Sequence, residues 1–303
     1  EIVKVNLSRS VSANLVSSDE LNNTAAVLIV VDGAGTTDKA WQTSATLLAV
    51  GESFTGKEAF ERLATVYSKN GGVNLIAKRI YDLDLSEENT VSEVTAAING
   101  GTTQIGLDTA IINVMIIDES NLVRSSLGTI ATAVKNSAAP EEEKIIMVNL
   151  TGDISGLGLA DHDNVFINYY DRKPDGSAAG ANNYEVALAA AYVSKINYSS
   201  DIIKGYEYTP FYGYVESSNN LNVAKSVPSL ASTGDMYTNI ISYLVNGYLA
   251  IGGNMTDGSN FIAKYFQIVL TQKITKELAR IAIGKVKFEN STYSTIANNL
   301  TAL

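Results

Sequence analysis

The chain has 303 residues, of which 46% are hydrophobic and 18% are charged, so it is a globular protein long enough to bury a sizeable core. Its net charge of −10 leaves no overall basic field for nucleic acid, and the absence of cysteine excludes disulfides and thiolate metal sites. No apolar run approaches the length of about 18 residues that a membrane span needs, and the N-terminal residues lack the apolar centre of a signal peptide.

The N-terminal segment, residues 1–11, alternates apolar and polar side chains, which is typical of a strand with one apolar face. This strand either forms an edge of the chain's own sheet or is donated to the sheet of a neighbouring subunit. We therefore predict an N-terminal arm over residues 1–20. Its candidate subunit-interface residues are Ile2, Val3, Val5 and Leu7.

The next predicted element is a buried strand over residues 25–32, because its apolar run is continuous. The glycine-rich loop that follows lacks the third glycine and the prompt helix of a dinucleotide fingerprint, so we predict no cofactor there. Trp41, further along this loop, is predicted to be a packed anchor. No cofactor of any other kind is predicted for the chain.

Residues 47–81 are predicted to form a strand, a glycine-containing turn, a helix and a second strand. Helix spacing is visible in Phe60, Leu63, Ala64 and Tyr67, which recur at intervals of three and four. The glycines after Asn70 end the helix, because glycine adopts the left-handed conformation of a C-cap without a steric penalty. A crossover of this kind predicts two parallel strands.

A phosphate-binding loop is the competing interpretation of this stretch. Residues 51–57, GESFTGK, match the first seven positions of the G-x-x-x-x-G-K motif, and residues 112–119 form an apolar strand that ends in two acids. A phosphohydrolase would use Lys57, Asp118 and Glu119. Against it, Glu58 stands where the motif has the metal-binding Ser or Thr. We favour a helix N-terminus with a capping box made by Thr55 and Glu58.

The middle of the chain predicts an α/β fold with a mainly parallel or mixed sheet flanked by helices. Residues 82–109 are polar and acidic and are predicted to be an insertion, and strands are predicted at 110–118, 144–150 and 165–170 with a helix at 122–136. The triplet from Asp161 to Asp163 is contiguous on a loop, so its side chains rarely converge. A solvated turn is therefore favoured there over a metal or acid-base site.

A tyrosine-rich belt follows, made by Tyr198, Tyr206, Tyr208, Tyr212 and Tyr214. The candidate subunit-interface residues within it are Tyr206, Tyr208, Tyr212 and Tyr214. Tyrosine is enriched at protein interfaces, and the low charged fraction of the chain also favours a surface covered by copies of itself. Packing within the subunit is the alternative. Base stacking is disfavoured because no Lys or Arg is interleaved with the rings.

The C-terminal part, around residues 259–303, is predicted to be helical. The long helix spans 261–284, with an apolar stripe made by Ile262, Phe266, Val269, Leu270, Ile274, Leu278 and Ile281. The segment 234–251 is rich in β-formers. Since no stretch separates as a linker, residues 21–303 are predicted to form one elaborated domain.

The order of these motifs resembles the core of contractile tail sheath proteins of phages and related injection machines. The resemblance lies in the strand at 28–32, Val50 and Gly51, the helix at 59–67, and a "GG-aliphatic-aliphatic-x-R" strand from Gly71 to Arg79. Residues 257–265, followed by a long helix to Lys285, are similar to the family's C-terminal core.

The resemblance implies a non-enzymatic structural subunit that forms hexameric rings, stacked helically around a tail tube, and contracts to drive the tube through a host envelope. Implied partners are further copies, the tail tube protein, and baseplate and neck proteins, without nucleic acid and without membrane insertion by this chain. The implied location is the sheath of a virion assembled in the host cytoplasm, with genome ejection as the outcome.

Two features of the family bear on the ends of this chain. Sheath proteins exchange terminal strands with neighbours, which favours a donated N-terminal strand. Relatives also continue beyond the point that corresponds to Leu303, so either the chain is incomplete or it lacks strand exchange at this end. A cell-surface lattice protein is a third interpretation, disfavoured by the missing secretion signal.

Overall fold

The computed structural model describes residues 24–32, 41–69, 72, 74–82, 87–100, 112–118, 123–138, 143–150, 153–169, 210–211, 237, 240–244, 247–251, 253–283 and 298. Helices and strands follow one another in this order: β1 (Thr24–Asp32), β2 (Gln42–Thr43), α1 (Ser44–Leu47), α2 (Lys57–Lys69), β3 (Asn74–Asp82), α3 (Glu87–Gly100), β4 (Ile112–Asp118), a 3-10 turn (Arg124–Ser126), α4 (Leu127–Ser137), β5 (Ile146–Leu150), β6 (Val165–Tyr169), β7 (Pro210–Phe211), β8 (Ile240–Leu244), β9 (Gly247–Ile251) and α5 (Phe261–Ile283).

A six-stranded sheet forms the centre of the fold, with the strand order β2-β3-β1-β4-β5-β6. All neighbours pair in parallel except β2, which is antiparallel to β3 at the edge. β1 lies centrally, and its residues 25–30 are completely buried, as its continuous apolar run predicts. The mixed α/β fold predicted from the sequence is therefore confirmed.

One face of the sheet is covered by α3 and α4. Alternate strand residues such as Leu28 and Ile116 form a single apolar cluster with Val94 and Ile98 of α3 and Ile130 of α4. Trp41 belongs to the same cluster, which confirms it as a packed anchor. α3 comes from the segment that the sequence predicts to be an insertion, so that segment contributes a helix to the core.

On the other face of the sheet, the edge strand β6 contacts the start of α5. The ring of Phe166, which points away from the first cluster, packs edge-on against Phe261 with 5.1 Å between the ring centroids. Phe261 in turn contacts Tyr265 one turn further along α5. In α2, the predicted Phe60, Leu63 and Tyr67 are buried, as the helix spacing indicates.

The end of α2 is confirmed at the predicted glycines, for a steric reason. The Gly72 amide donates to the Tyr67 carbonyl at 2.8 Å, and a Cβ on Gly72 would lie 2.4 Å from the Tyr67 ring. Only glycine allows this close approach between the chain and a buried ring.

Two sequence predictions are wrong in this part of the fold. The apolar run from Leu47 is not a strand, because Leu47 ends α1 and Val50 lies fully exposed on the turn that follows. In α5 the stripe is broader than predicted, since Phe261, Lys264, Tyr265 and Ile268 are buried while the predicted Ile262 is half-buried.

A second, three-stranded antiparallel sheet has the order β7-β9-β8. Its β8 and β9 come from the β-former-rich segment at 234–251. The part of the predicted helical C-terminal region that follows Ile283 lies outside the described residues, apart from position 298. Within the part of the chain that the structure describes, no helix combines the length and apolar character needed to cross a membrane.

Candidate functional site: an ion cluster at the start of the long helix

The geometry of the 51–57 loop does not match a phosphate-binding loop. Such a loop leaves the carboxyl end of a parallel strand beside the strand that carries the acid. Here the loop follows α1, and the strand before α1 is the antiparallel β2, which β3 and β1 separate from β4. The structure therefore does not bring Lys57 together with Asp118, and Glu119 lies outside the described residues.

The side chains of this rival site already have local partners. Lys57 Nζ donates to the Glu52 carbonyl at 2.6 Å and lies 3.6 Å from the Glu61 carboxylate. Asp118 Oδ2 accepts from the Val123 amide at 2.8 Å and so stabilises the turn that leads into α4. Both residues thus have structural contacts that explain their presence.

The predicted capping box is wrong in its register. The Lys57 amide donates to the Phe54 carbonyl at 3.2 Å and Gly56 has a φ of 84°, which defines a type II turn that requires glycine at this place. α2 therefore begins at Lys57, after Gly56 rather than after Thr55. The Glu58 carboxylate pairs with Arg62 one turn along the helix.

The loop at 253–260 fixes the start of α5 against β6. The Thr256 amide donates to the Val165 carbonyl at 3.0 Å, and the Thr256 hydroxyl donates to the His162 carbonyl at 2.7 Å. Asn260 then caps α5, because its Oδ1 accepts from the amides of Ile262 and Ala263. This is the segment that carries the C-terminal part of the family resemblance.

Lys264 lies one turn into α5 and is the centre of an ion cluster. Its Nζ is 2.5 Å from Glu143 Oε1 and 2.9 Å from Asp163 Oδ2. The other oxygen of Asp163 is 2.5 Å from Lys135 Nζ of α4. Because the Lys264 side chain is only 5% exposed, this cluster ties α5 to the loops before β5 and β6 within the protein interior.

The charges of the cluster shift the pKa values of Asp163 and Lys264 in the stabilising direction. Burial acts to raise the pKa of Asp163, but hydrogen bonds and charges from Lys135 and Lys264 outweigh it and hold the pKa below 3.8. Burial acts to lower the pKa of Lys264, but Glu143 and Asp163 outweigh it and hold the pKa above 10.5. Asp163 and Lys264 are therefore ionised near neutral pH, and the cluster has the chemistry of a clamp rather than of an acid-base catalyst.

The solvated turn predicted for residues 161–163 is wrong for Asp163, which is half-buried in this cluster. His162 stays local, with its Nε2 3.1 Å from the Gly158 carbonyl. Among the described residues, no group of three or more His, Asp or Glu side chains converges as a metal site.

The residues predicted as subunit contacts are not brought together with this cluster by any described contact. Ile2, Val3, Val5, Leu7, Tyr206, Tyr208, Tyr212 and Tyr214 all lie outside the described residues. The cluster itself was missed by the sequence analysis. Its only sequence signal is the pair of motifs around Asp163 and Lys264, which are 101 positions apart.

No protein-family model matches the sequence, and no curated protein matches it either. Solved structures do match the fold. A chain of the helical sheath of the anti-feeding prophage (AFP), in its contracted state, superposes with a TM-score of 0.58 at 14% identity, covering 99% of this chain and 81% of that chain.

Two further AFP structures match over the same extent. A chain of the baseplate, 6-fold symmetrised, gives a TM-score of 0.58 at 14% identity and covers 99% of this chain and 80% of that chain. A chain of the contracted baseplate gives 0.54 at 12% identity, with 98% and 81% covered. These matches confirm, at the level of the fold, the resemblance to contractile tail sheath proteins: the chain has the fold of subunits of the AFP sheath and baseplate.

Proposed function

We propose that this chain is a non-enzymatic structural subunit of a contractile tail sheath, whose copies stack as hexameric rings around a tail tube. The observation that carries the proposal is the likeness of fold over 99% of the chain to a chain of a helical sheath. A likeness over nearly the whole chain includes the regions before, between and after the core strands. It therefore supports a shared architecture rather than a shared central sheet alone.

The proposed mechanism is movement of rigid cores on extended arms. An open helical array needs two different contact patches on each subunit, one for the copy above and one for the copy below. Contraction then exchanges one set of contacts for another while the cores move as bodies. The Lys264 cluster supports this role, because it fixes the long helix to the sheet and so stiffens the moving body.

The proposed contacts include the N-terminal arm and the tyrosine belt. The arm would add its apolar face, formed by Val3, Val5 and Leu7, to a neighbouring copy, with Ile2 as a further candidate contact. The further partners proposed are the tail tube protein, the baseplate and the neck proteins, within a phage tail or a related particle assembled in the host cytoplasm. Driving the tube through a host envelope, with genome ejection in a virion, is the proposed outcome.

Negative-stain electron microscopy of the purified protein over a range of concentrations, without nucleotide, tests the proposal. We expect striated hollow tubes or stacked rings. Folded protein that stays dispersed at every concentration would contradict self-assembly. ATP binding by the wild type and by Lys57→Ala is measured as a control for the rival function. Binding by the wild type that is lost in Lys57→Ala would favour a phosphohydrolase.

A matched pair of variants tests the arm. Replacing Val5 and Leu7 with serine removes two residues of the apolar face, whereas replacing Asn6 and Ser8 with alanine changes the other face of the same strand. Only the first change should prevent tubes. Normal tubes from the first variant, or from a chain without residues 1–11, would show that the arm does not link subunits.

A further inference from the structure

Arg79 is a buried cation in the middle of β3. Only 8% of its surface is exposed. It pairs in register with Ile29 of β1, which pairs in turn with Ile117 of β4, and both isoleucines are completely buried. Arg79 therefore lies in line with two buried apolar residues of the neighbouring strands.

The described contacts of the Arg79 guanidinium are fewer than a buried charge normally has. Its carbon lies 4.6 Å from the centroid of the Phe54 ring, which is a cation–π contact. Its Nε is sealed from solvent without a hydrogen-bond partner. Among the residues that the structure describes, no carboxylate lies within ion-pair distance of it, although a guanidinium offers five N–H donors.

An arrangement of this kind is unfavourable for an isolated subunit. A buried charge without a counter-charge costs free energy, and an aromatic face compensates only part of the loss. A planar carboxylate would satisfy the guanidinium best, because two parallel N–H···O bonds match its fork geometry. The chemistry of the site is therefore that of an unfilled carboxylate receptor.

The site lies near an edge of the described sheet. On the outer side of β3, β2 pairs only with Ile76 and Ala77, so within the described residues the strand from 78 onward has no neighbour there. Phe54 belongs to the loop between α1 and α2, and the tip of this loop carries the fully exposed Val50.

We propose that Arg79, stacked on Phe54, receives a carboxylate from a second copy of this chain. The proposal rests on the proposed function, which requires contacts between copies. Charge complementarity supports the occupant, because 32 acidic residues against 22 basic ones make every copy rich in carboxylates. The ion pair forms on assembly and converts a buried unpaired charge into a bidentate contact.

The test compares Arg79→Met with Lys78→Met. Lys78 is the adjacent residue of β3, is half-buried on the other face, and loses the same single charge. We expect Arg79→Met to raise the protein concentration needed for assembly by about tenfold or more, and Lys78→Met to change it by less than about twofold. Equal assembly of Arg79→Met and the wild type would overturn the proposal and leave the sheath function intact.

The urea midpoint of unassembled protein gives a second readout. Arg79→Met should leave the midpoint unchanged or raise it, because the variant removes a buried charge that has no partner. A lowered midpoint would show that the guanidinium already has a partner within its own chain, which would overturn the proposal.

If the wild type fails to assemble, the Arg79 site can still be tested apart from the sheath function. The test compares the urea midpoint in sodium acetate with the urea midpoint in sodium chloride at equal ionic strength. The receptor predicts that acetate raises the urea midpoint of the wild type and of Lys78→Met, but not of Arg79→Met. No difference would overturn the receptor. Acetate stabilisation at Arg79 without assembly at any concentration would overturn the second copy as its occupant.

Discussion

Lys264 and Arg79 are both cations that this fold buries, and their surroundings differ completely. Lys264 lies between two carboxylates at 2.5 and 2.9 Å, supplied by segments far away in the sequence. Arg79 has an aromatic ring for a neighbour and an unsatisfied Nε. Two carboxylates neutralise the first cation, whereas no carboxylate among the described residues lies within ion-pair distance of the second.

The difference separates two uses of a buried charge. A cation that has its partners within the chain fixes elements to one another, as Lys264 fixes α5 to the loops before β5 and β6. A cation near a sheet edge without such partners has no counter-charge in the isolated subunit, and a carboxylate of a neighbouring subunit can supply one. In the proposed array, the first kind would stiffen the subunit and the second kind would join subunits.

Lys264→Met should have the largest effect on the subunit. It leaves the carboxylates of Glu143 and Asp163 facing each other without their shared cation, and we expect a loss of about 3–5 kcal/mol in the free energy of unfolding. Urea denaturation of unassembled protein measures it. If Lys264→Met is as well tolerated as Arg79→Met, the contrast between the two cations fails.

Acid should weaken the Lys264 cluster through Asp163. Because the pKa of Asp163 is lowered by folding, its contribution is complete above pH 3.8 and is lost as the pH falls through the folded-state pKa. The pKa of Lys264 is raised, so its contribution is complete below pH 10.5 and is lost only at higher pH. The contributions of Asp163 and Lys264 are therefore both complete between these two values.

Asp163→Asn provides the measurement for this pH dependence. The difference in urea midpoint between the wild type and Asp163→Asn should be constant near neutral pH and should shrink below pH 3.8. A difference that stays constant into strong acid would show that the charge of Asp163 does not stabilise the fold.

Lys135→Met should have the smallest effect in the cluster. The Lys135 side chain is 45% exposed, and Asp163 keeps Lys264 as a partner when Lys135 is removed. Exposed ion pairs contribute little, so we expect a loss of at most about 1 kcal/mol. A loss as large as that of Lys264→Met would place the centre of the cluster on α4 rather than on α5.

The central strands were predictable from the sequence because each is a short apolar run between turn residues. β1, β4, β5 and β6 were all predicted within a few residues of their bounds, and the parallel arrangement followed from the intervening helices. The run at 47–50 was misassigned because a few apolar residues fit a strand and a short helix equally well. The end of the helix was predicted from its glycines, but the close contact between Gly72 and the Tyr67 ring is visible only in the structure.

The Lys264 cluster could not be predicted for a different reason. A lysine on a helix is normally exposed, and its partner Glu143 is 121 positions away. Pairing across such a distance depends on the tertiary fold, which brings α5 to the start of β5. Arg79 was recognised as a motif residue, but its burial beside Phe54 is visible only in the structure.

A cryo-electron microscopy reconstruction of the assembled protein tests the central claim most directly. We predict rings of six subunits stacked helically around a hollow axis, with a carboxylate of a neighbouring copy at the Arg79 guanidinium. A closed oligomer of fixed size at all concentrations, with no stacking, would contradict the sheath assignment.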